Sequence, residues 1–239
     1  MQQDVLSKEY IKKQLNENGI HMKLQVMEEV ISTNTLLRQY AEEGEREDML
    51  LIAEYQTGGR GRKGRQFFSP KGTGLYMSLL LHPKVPAGEV HMLTTLAAAA
   101  TAKAIEVVSG KEAKIKWVND IFIDGKKTVG ILTEASGTLT EGRFDYVIVG
   151  IGINVYEPDG GFTEELRNLA GAVFGKCDFA NEELKKVLKL RQDGLEINKD
   201  NFKESEKNRM QAQEIPDNLR SKIAAEVVKQ FMEFYRVFP

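Results

Sequence analysis

The chain has 239 residues, of which 41% are hydrophobic and 28% are charged, and its formal net charge is −2. This length fits one domain of ordinary size with room for a small second one. The slightly acidic balance excludes a nucleic-acid-binding protein that is basic over a whole face, so no DNA partner is expected. A single cysteine, Cys177, excludes an internal disulfide and favours a reducing, cytoplasmic environment. No signal peptide and no apolar run of membrane-spanning length are expected, hence no membrane partner.

Hydrophobic periodicity predicts helices and strands that alternate along the chain. Helices are expected over 5–18, after the capping residues 32–35, over 94–108 and over 217–238. Strands are expected over 23–27, 49–55, 75–81, 113–117, 121–123, 128–132 and 146–155, and the pair Asp124-Gly125 marks a hairpin turn. Helices combined with hairpin-linked strands predict an α+β domain, with a mixed or antiparallel sheet and packed helices.

The composition changes after residue 175. Residues 176–214 are rich in Lys, Glu, Asn and Gln and poor in aromatics, which predicts a polar insertion or a linker. Helical spacing of apolar residues then resumes, so residues 215–239 are expected to form an amphipathic helix. This helix is assigned to the same domain as residues 1–175.

Residues 58–65, called the basic loop below, combine four glycines with Arg60, Arg62, Lys63 and Arg65. Glycine allows a ligand to approach the backbone closely, and arginine binds planar anions through two hydrogen bonds. The four neighbouring cations repel one another, so the loop is expected to be mobile when empty and to order around an anion. These four cations carry a charge of +4, which leaves −6 on the rest of the chain.

Two common phosphate-binding motifs are excluded for the basic loop. Its glycines match G-x-G-x-x-G, but no helix is predicted after them, and Lys84 stands where a dinucleotide-binding fold needs an acid. Arg65 and Gln66 follow Gly64, so the Lys-Ser/Thr pair of a Walker loop is missing as well. An RGG-like nucleic-acid arm and a solvated basic turn remain as alternatives.

Three further polar clusters are candidates for binding. Residues 116–120, Lys-Trp-Val-Asn-Asp, end an apolar strand and could bind a ribose, a phosphate or Mg²⁺, or form an ordinary turn. Lys126 and Lys127 should point to opposite faces of the sheet, because side chains alternate along a strand. The glycines of residues 150–154, Gly-Ile-Gly-Ile-Asn, indicate that a ligand or another part of the protein approaches the strand closely.

Together these segments resemble the biotin–protein ligases, also called biotin–[acetyl-CoA-carboxylase] ligases. The matching segments occur in the family's order and cover roughly residues 20–175; they are STN at 32–34, EYQ and GRGRxGR within 54–65, KWxND at 116–120, GxKxxGILxE at 125–134 and GIGIN at 150–154. The resemblance implies a catalytic domain of the class II aminoacyl-tRNA synthetase/biotin ligase-like fold. It implies that biotin is activated by ATP to biotinyl-5′-adenylate and then transferred to a lysine of a biotin carboxyl carrier domain, that of acetyl-CoA carboxylase or a related enzyme.

The resemblance also implies roles for individual residues. Catalysis is assigned to Lys127, Arg62 and Asp120, and Asp120 either holds Mg²⁺ or orients the attacking lysine. Biotin contacts are assigned to Ser32, Thr33, Asn34, Gln56, Arg60, Gly61, Arg62, Lys127 and Gly130. ATP contacts are assigned to Arg60, Arg62, Arg65, Lys116, Asn119 and Asn154.

Family members commonly carry a small β-barrel after the catalytic domain, and bifunctional members carry a DNA-binding domain before it. Neither is expected in this chain, which predicts a monofunctional ligase that could also form a homodimer. Two rival functions remain. One is a lipoate–protein ligase, although its usual arginine and triple-glycine loop is missing, and the other is a non-catalytic sensor that binds biotin or an adenylate.

Overall fold

The computed structural model describes residues 4–137, 139–175 and 218–237. Within these ranges the chain forms four α-helices: α1 (Lys8–Glu17), α2 (Thr33–Glu42), α3 (Met92–Ser109) and α4 (Leu219–Tyr235). It also forms nine strands: β1 (Lys23–Val30), β2 (Met49–Gln56), β3 (Gly74–Leu81), β4 (Lys114–Lys116), β5 (Asp120–Ile123), β6 (Lys126–Ala135), β7 (Leu139–Thr140), β8 (Arg143–Phe144) and β9 (Val147–Asn154). The predicted polar insertion, 176–214, and Cys177 lie outside the described residues.

Seven strands form one sheet in the order β1-β2-β3-β9-β6-β5-β4. Strands β1 and β2 are parallel, and every other neighbouring pair in the sheet is antiparallel. Strands β7 and β8 form a separate short hairpin. The predicted α+β domain with a mixed sheet and packed helices is confirmed.

The two faces of the sheet are covered differently. Alternation along β2 sends Leu50 and Ile52 to a large core shared with α1, α3 and α4. Met49 and Leu51 instead pack under α2 in a smaller cluster. Because a single ten-residue helix covers this second face, part of it stays open, and the candidate site lies there.

Helix α3 corrects one expectation from the sequence. The segment Ala87–Ser109 is long and apolar enough to cross a membrane by length and composition. Half of the most apolar 18-residue stretch of this segment is nevertheless buried inside the protein, and α3 packs against α4 and the sheet. Its run of alanines lets neighbouring elements approach closely, so we interpret α3 as a core helix.

Two hairpin turns use residues with positive φ. Asp124 and Gly125 have φ of 51° and 76° between β5 and β6, the turn that the Asp-Gly pair predicted. Glu141 and Gly142 have φ of 52° and 76° between β7 and β8. The second hairpin was not predicted, because strands of two residues are too short to show a periodic pattern.

A buried charged cluster joins the first described residues and α4 to β2. The Arg220 guanidinium donates to Glu54 over 2.6 and 3.0 Å. Its backbone N–H donates to the Asp4 carboxylate over 2.9 Å, and the Tyr156 hydroxyl donates to the same oxygen over 2.7 Å. Both Arg220 and Asp4 are almost completely buried, so this cluster holds α4 against the strand that leads into the basic loop.

Candidate active site

A cavity of about 440 Å³ lies on the open part of the α2-side face of the sheet. It is bounded by the start of α2, the basic loop, β6, β9 and residues 162–170. This volume suits a small-molecule ligand. The predicted site residues that line it are Ser32, Thr33, Asn34, Gln56, Arg60, Gly61, Arg62, Arg65, Asn119, Asp120, Lys127, Gly130 and Asn154.

Lys116 is the predicted site residue that the structure does not bring to the cavity. It lies on the exposed edge strand β4, and its ammonium sits over the ring of Phe122, 5.3 Å from the centroid. A cation over an aromatic face is an attractive arrangement in itself. The spacing of the KWxND segment alone could not reveal that Lys116 and Asn119 point to different places.

The basic loop is a tight turn at the rim of the cavity. The Gly61 N–H donates to the Arg65 carbonyl over 2.7 Å, while Lys63 and Gly64 have φ of 56° and 73°. Gly59 packs so closely on Ser69 and on the Phe67 carbonyl that a Cβ atom there would overlap both. The loop conformation therefore requires glycine at position 59 for space and favours it at position 64 for its φ.

Three cations at the cavity are held by polar partners of the protein. Arg60 Nη2 lies 3.2 Å from Glu134 Oε1, and Arg62 Nη1 donates to Asn119 Oδ1 over 3.0 Å. Lys127 Nζ lies 2.7 Å from Asp120 Oδ1. These contacts offset part of the repulsion among the cations. The predicted mobility of the empty loop stays a prediction.

The polar end of the cavity is formed by the buried triplet at the start of α2, Ser32 to Asn34. The Thr33 backbone N–H donates to Gln56 Oε1 over 2.9 Å, and the Gln56 amide donates to Ser69 over 3.0 Å. These bonds fix the side chain of Gln56 between α2 and the segment that follows the basic loop. The predicted triplet and Gln56 thus form one connected hydrogen-bonding wall.

The strand glycines provide room for a side chain on the floor of the cavity. Gly130 of β6 lies opposite Gly152 of β9. The ring of Phe67 covers both, because Cβ atoms built at Gly152 and Gly130 would lie 2.6 and 3.0 Å from it. Asn34 packs in the same way on Gly150. The glycines predicted to permit a close approach therefore admit side chains of the protein, and these shape the cavity.

A β-bulge decides which way Lys127 points. Val129 pairs with Ile121, but the next pair along is Lys127 with Phe122, so Thr128 has no partner on β5. Regular alternation would place Lys127 on the same face as Val129, in the large core. A bulge of this kind turns the following side chains to the other face. Lys127 accordingly lines the cavity.

The two predicted asparagines support neighbouring backbone as well as the cavity wall. The Asn119 amide donates to Asp120 over 3.0 Å and to the Ile131 carbonyl over 3.3 Å. The Asn154 amide donates to the Gly171 carbonyl over 2.9 Å. This last bond ties β9 to the segment that closes one side of the cavity.

Asp120 is the carboxylate residue among those lining the cavity. One of its oxygens already contacts Lys127 and Asn119. The described residues contain no group of three or more His, Cys, Asp or Glu that could hold a metal ion. A protein-only metal cage is therefore not formed in this part of the chain, whereas one carboxylate is enough for Mg²⁺ that arrives bound to phosphates.

Sequence reasoning missed several residues of the site. Phe162, Leu166 and Leu169 form an apolar wall opposite the sheet, on a segment that shows no periodic pattern. Tyr76 also lines the cavity; burial raises the pKa of its hydroxyl above the usual range, so it stays neutral and donates to the Pro70 carbonyl over 2.8 Å. Glu134 and Arg38 lie behind the wall. The one feature of the sequence that indicated a role for Glu134 is its position as the acid at the end of the GxKxxGILxE segment.

The arrangement can bind a molecule that carries polar, apolar and anionic groups. The triplet at the start of α2 and Gln56 offer amide and hydroxyl groups, and the rings and aliphatic side chains offer apolar contact. The cavity also presents Arg60, Arg62 and Lys127, and these cations suit a carboxylate or phosphate. Such cations reduce the repulsion between two anions and stabilise charge that develops during their reaction.

Comparison with known proteins identifies curated relatives of this chain. The chain is 45% identical over 139 residues to the bifunctional ligase/repressor BirA of Bacillus subtilis, covering 58% of this chain and 42% of the relative. It is 38% identical over 117 residues to the biotin–[acetyl-CoA-carboxylase] ligase of Paracoccus denitrificans, covering 48% of each. The chain thus spans less than half the length of these curated relatives.

A solved structure is similar over most of the chain. The biotin protein ligase from Aquifex aeolicus in complex with biotin and ATP superimposes with a TM-score of 0.59 and 26% identity, covering 90% of this chain and 70% of that one. Residues 26–154, more than half of the sequence, match the biotin/lipoate A/B protein ligase family. That match spans both the basic loop and the strands that form the cavity floor, and the chain belongs to the biotin/lipoate A/B protein ligase family.

Proposed function

We propose that this protein is an ATP-dependent, AMP-forming biotin–protein ligase. The observation that carries the proposal is one cavity lined by amide and hydroxyl groups, apolar side chains and three cations. Biotin carries the groups that match them, which are a ureido ring, an apolar body and a carboxylate. The solved relative from Aquifex aeolicus, which contains biotin and ATP, supports the same substrates.

In the first proposed step, the biotin carboxylate attacks the α-phosphate of ATP and pyrophosphate leaves. Both reactants are anions, so their approach costs electrostatic energy unless cations are already in place. Arg60, Arg62 and Lys127 all line the cavity and supply this charge. Ser32, Thr33 and Gln56 are proposed to hold the ureido ring, which fixes the distance between carboxylate and phosphate.

In the second step, the ε-amine of a lysine on a carrier domain attacks the carbonyl carbon of the mixed anhydride, and AMP leaves. Arg62 and Lys127 stabilise the departing phosphate and the charge on the carbonyl oxygen. Asp120, which lies 2.7 Å from Lys127, is proposed to orient the attacking amine or the ammonium of Lys127. A loop that closes over the adenylate would also protect it from water.

Mg²⁺ is proposed to enter with ATP as part of the substrate. Asp120 is the lining carboxylate that can face it, while Arg60, Arg65 and Asn119 contact the remaining phosphate and ribose oxygens. The ion supplies additional positive charge to the triphosphate. The protein residues themselves bind and align the nucleotide.

The proposed protein partner is a biotin carboxyl carrier domain, of acetyl-CoA carboxylase or a related enzyme, in the cytoplasm. Support for the partner comes from relatives named as ligases of that substrate, and support for the cytoplasm comes from the single cysteine. DNA is not proposed as a partner, because the net charge of −2 leaves no excess of positive charge for a broad phosphate-binding face. A homodimer is compatible with all of these features.

Biotin-dependent exchange of pyrophosphate into ATP tests the first step, and streptavidin detection of a labelled carrier domain tests the second. A ligase gives both signals. Exchange with lipoate and none with biotin would assign the protein to the lipoate branch of the family. Tight biotin binding without any exchange would identify a sensor and overturn the proposal.

A further inference from the structure

Glu134 connects three elements behind the cavity wall. Its side chain is 16% exposed and accepts from Arg38 Nη2 of α2 over 2.6 Å. It also accepts from Asn34 Nδ2 over 2.9 Å, and it lies 3.2 Å from Arg60 Nη2 of the basic loop. Glu134 does not itself line the cavity, whereas Asn34 and Arg60 do. Its effect on a ligand must therefore pass through these two residues.

Glu134 fixes the orientation of the Asn34 amide together with the Leu132 carbonyl, which accepts from the same nitrogen over 3.3 Å. An ionised carboxylate can only accept hydrogen bonds, so the NH₂ group of Asn34 must face it. The Asn34 carbonyl oxygen then faces Ser78, whose hydroxyl donates to it over 2.6 Å. The Ser78 hydroxyl also lies 2.6 Å from the Thr33 hydroxyl, which in turn donates to Gln56 Oε1 over 3.2 Å. Glu134 is thus connected through Asn34 and Ser78 to the Thr33 and Gln56 groups that line the cavity.

The charges around Glu134 leave the site cationic. A carboxylate beside Arg60 alone would cancel its charge and make it a poor anion ligand. Arg38 supplies a second guanidinium at the shorter distance, 2.6 Å against 3.2 Å. The three groups together carry one net positive charge. Arg38 therefore allows Glu134 to hold Arg60 in place without removing the charge that faces the cavity.

We propose that Glu134, secured by Arg38, is a positioning residue that presents Arg60 and Asn34 to the bound substrate. This inference rests on the proposed ligase function and names two residues that set the geometry of its substrate site. Both lie behind groups that touch the cavity and are only partly exposed, so their contribution is pre-organisation. Glu134 keeps a flexible arginine from adopting other orientations before the carboxylate arrives.

The first test compares Glu134→Gln with Glu28→Gln in biotin-dependent pyrophosphate exchange. Glu28 is the control, because its carboxylate also forms an ion pair, with Lys71, but at an exposed site that does not line the cavity. We expect Glu134→Gln to raise the KM for biotin by about tenfold or more, the effect of one misplaced charge-assisted hydrogen bond, with a smaller change in kcat. Biotinol, which lacks the carboxylate, should lose less affinity in the same variant.

The second test is a double-mutant cycle with Arg38→Gln. If Arg38 acts through Glu134, the double variant should lose no more biotin affinity than Glu134→Gln alone. Arg38→Lys keeps the charge but loses the planar guanidinium, and it should give an intermediate loss. Thermal unfolding of every variant shows whether the protein is folded, and Arg38→Lys serves if Glu134→Gln does not fold.

The outcomes separate the inference from the proposed function. Absence of biotin-dependent exchange in the unmodified protein overturns the ligase proposal and this inference with it. An active protein whose Glu134→Gln variant matches Glu28→Gln overturns the positioning role alone. Additive losses in the cycle, or equal losses for biotin and biotinol, also overturn it.

Discussion

The Lys127 ammonium lies 2.7 Å from the Asp120 carboxylate, and the two residues are on neighbouring strands. Asp120 pairs with Gly130 in the regular part of β5 and β6, while Lys127 comes three residues earlier, beyond the bulge at Thr128. The bulge therefore places a cation above a carboxylate that regular pairing would have kept apart. This pair holds the lysine at the cavity until an anionic substrate competes for it.

Replacement of Lys127 by alanine should strongly impair adenylate formation. Removing one charge used in the transition state typically costs on the order of 3 kcal/mol, about a hundredfold in rate. Pyrophosphate exchange measures this loss. Lys126→Ala is the control, because Lys126 is the adjacent residue and does not line the cavity. Equal rates for the two variants would refute the role of Lys127.

Arg62→Ala should reduce adenylate formation by a comparable factor of about a hundred. Arg62 lines the cavity and donates to Asn119, so its removal takes away a charge and also loosens Asn119. Single-turnover formation of the adenylate at saturating biotin and ATP measures the chemical step. Arg143→Ala, an exposed arginine of β8, is expected to behave like the unmodified protein. Near-normal exchange by Arg62→Ala would remove it from the mechanism.

Ligand binding should protect the basic loop from trypsin. Arg62, Lys63 and Arg65 are exposed and offer cleavable bonds. Biotin and ATP together should slow cleavage between residues 58 and 65, because the adenylate gives the cations a shared anion. Cleavage within α1, which is far along the chain from the loop, is the internal reference. A loop cleaved at the same rate with and without ligands would contradict ligand-induced ordering.

Gly152→Ala should weaken biotin binding through Phe67. The new methyl group would lie 2.6 Å from the ring, so Phe67 has to move off the cavity floor. Overpacking of this kind costs roughly 1–3 kcal/mol. Calorimetric biotin titration and thermal unfolding measure the two effects. Gly88→Ala is the control, since a Cβ atom there meets nothing within 4 Å. Unchanged affinity in Gly152→Ala would show that the ring position is unimportant.

The Asp4 cluster should make stability depend on pH. Burial raises the pKa of Asp4 above its ordinary value of 3.8, and the nearby Glu54 carboxylate adds to the rise, although Tyr156 and Arg220 oppose it. The folded state then binds more protons than the unfolded state between 3.8 and the raised pKa. The unfolding free energy contributed by Asp4 is therefore present below pH 3.8 and is lost as the pH rises through the folded pKa.

Urea unfolding over a pH series measures this dependence. Asp4→Asn should flatten the fall in unfolding free energy just above pH 3.8. Glu165→Gln, an exposed carboxyl, provides the comparison and should retain the slope of the unmodified protein. An identical slope in Asp4→Asn would mean that other groups cause the pH dependence.

Local patterns predicted most of the secondary structure, and the family resemblance named 13 of the residues that line the cavity. Alternation located the strand that ends at Gln56, and the Asp-Gly pair located the turn between β5 and β6, because both depend on near neighbours. Lys116 shows where such reasoning fails. It lies three residues from Asn119, yet its side chain lies over Phe122, and no motif encodes that direction.

The residues behind the cavity wall could not be predicted from the sequence, for a different reason. Arg38 and Glu134 are 96 positions apart, and their contact exists only after α2 packs over β6. Phe67 covers Gly130 and Gly152 because the segment after the basic loop folds back onto the sheet. Long-range contacts of this kind produce no local spacing pattern in the sequence from which they could be predicted.

The sequence by itself determined which chemical groups this protein has, because residue type and local backbone preference are properties of the chain alone. The cations, amides and strand glycines are supplied by the basic loop, the STN triplet and the KWxND and GIGIN segments. Tertiary structure decided which of these groups meet. It turned Lys127 toward Asp120 through a bulge, laid Phe67 over the glycines, and gave Arg60 and Asn34 a common carboxylate in Glu134. Those choices depend on the packing of distant elements, where burial and charge pairing outweigh local preference.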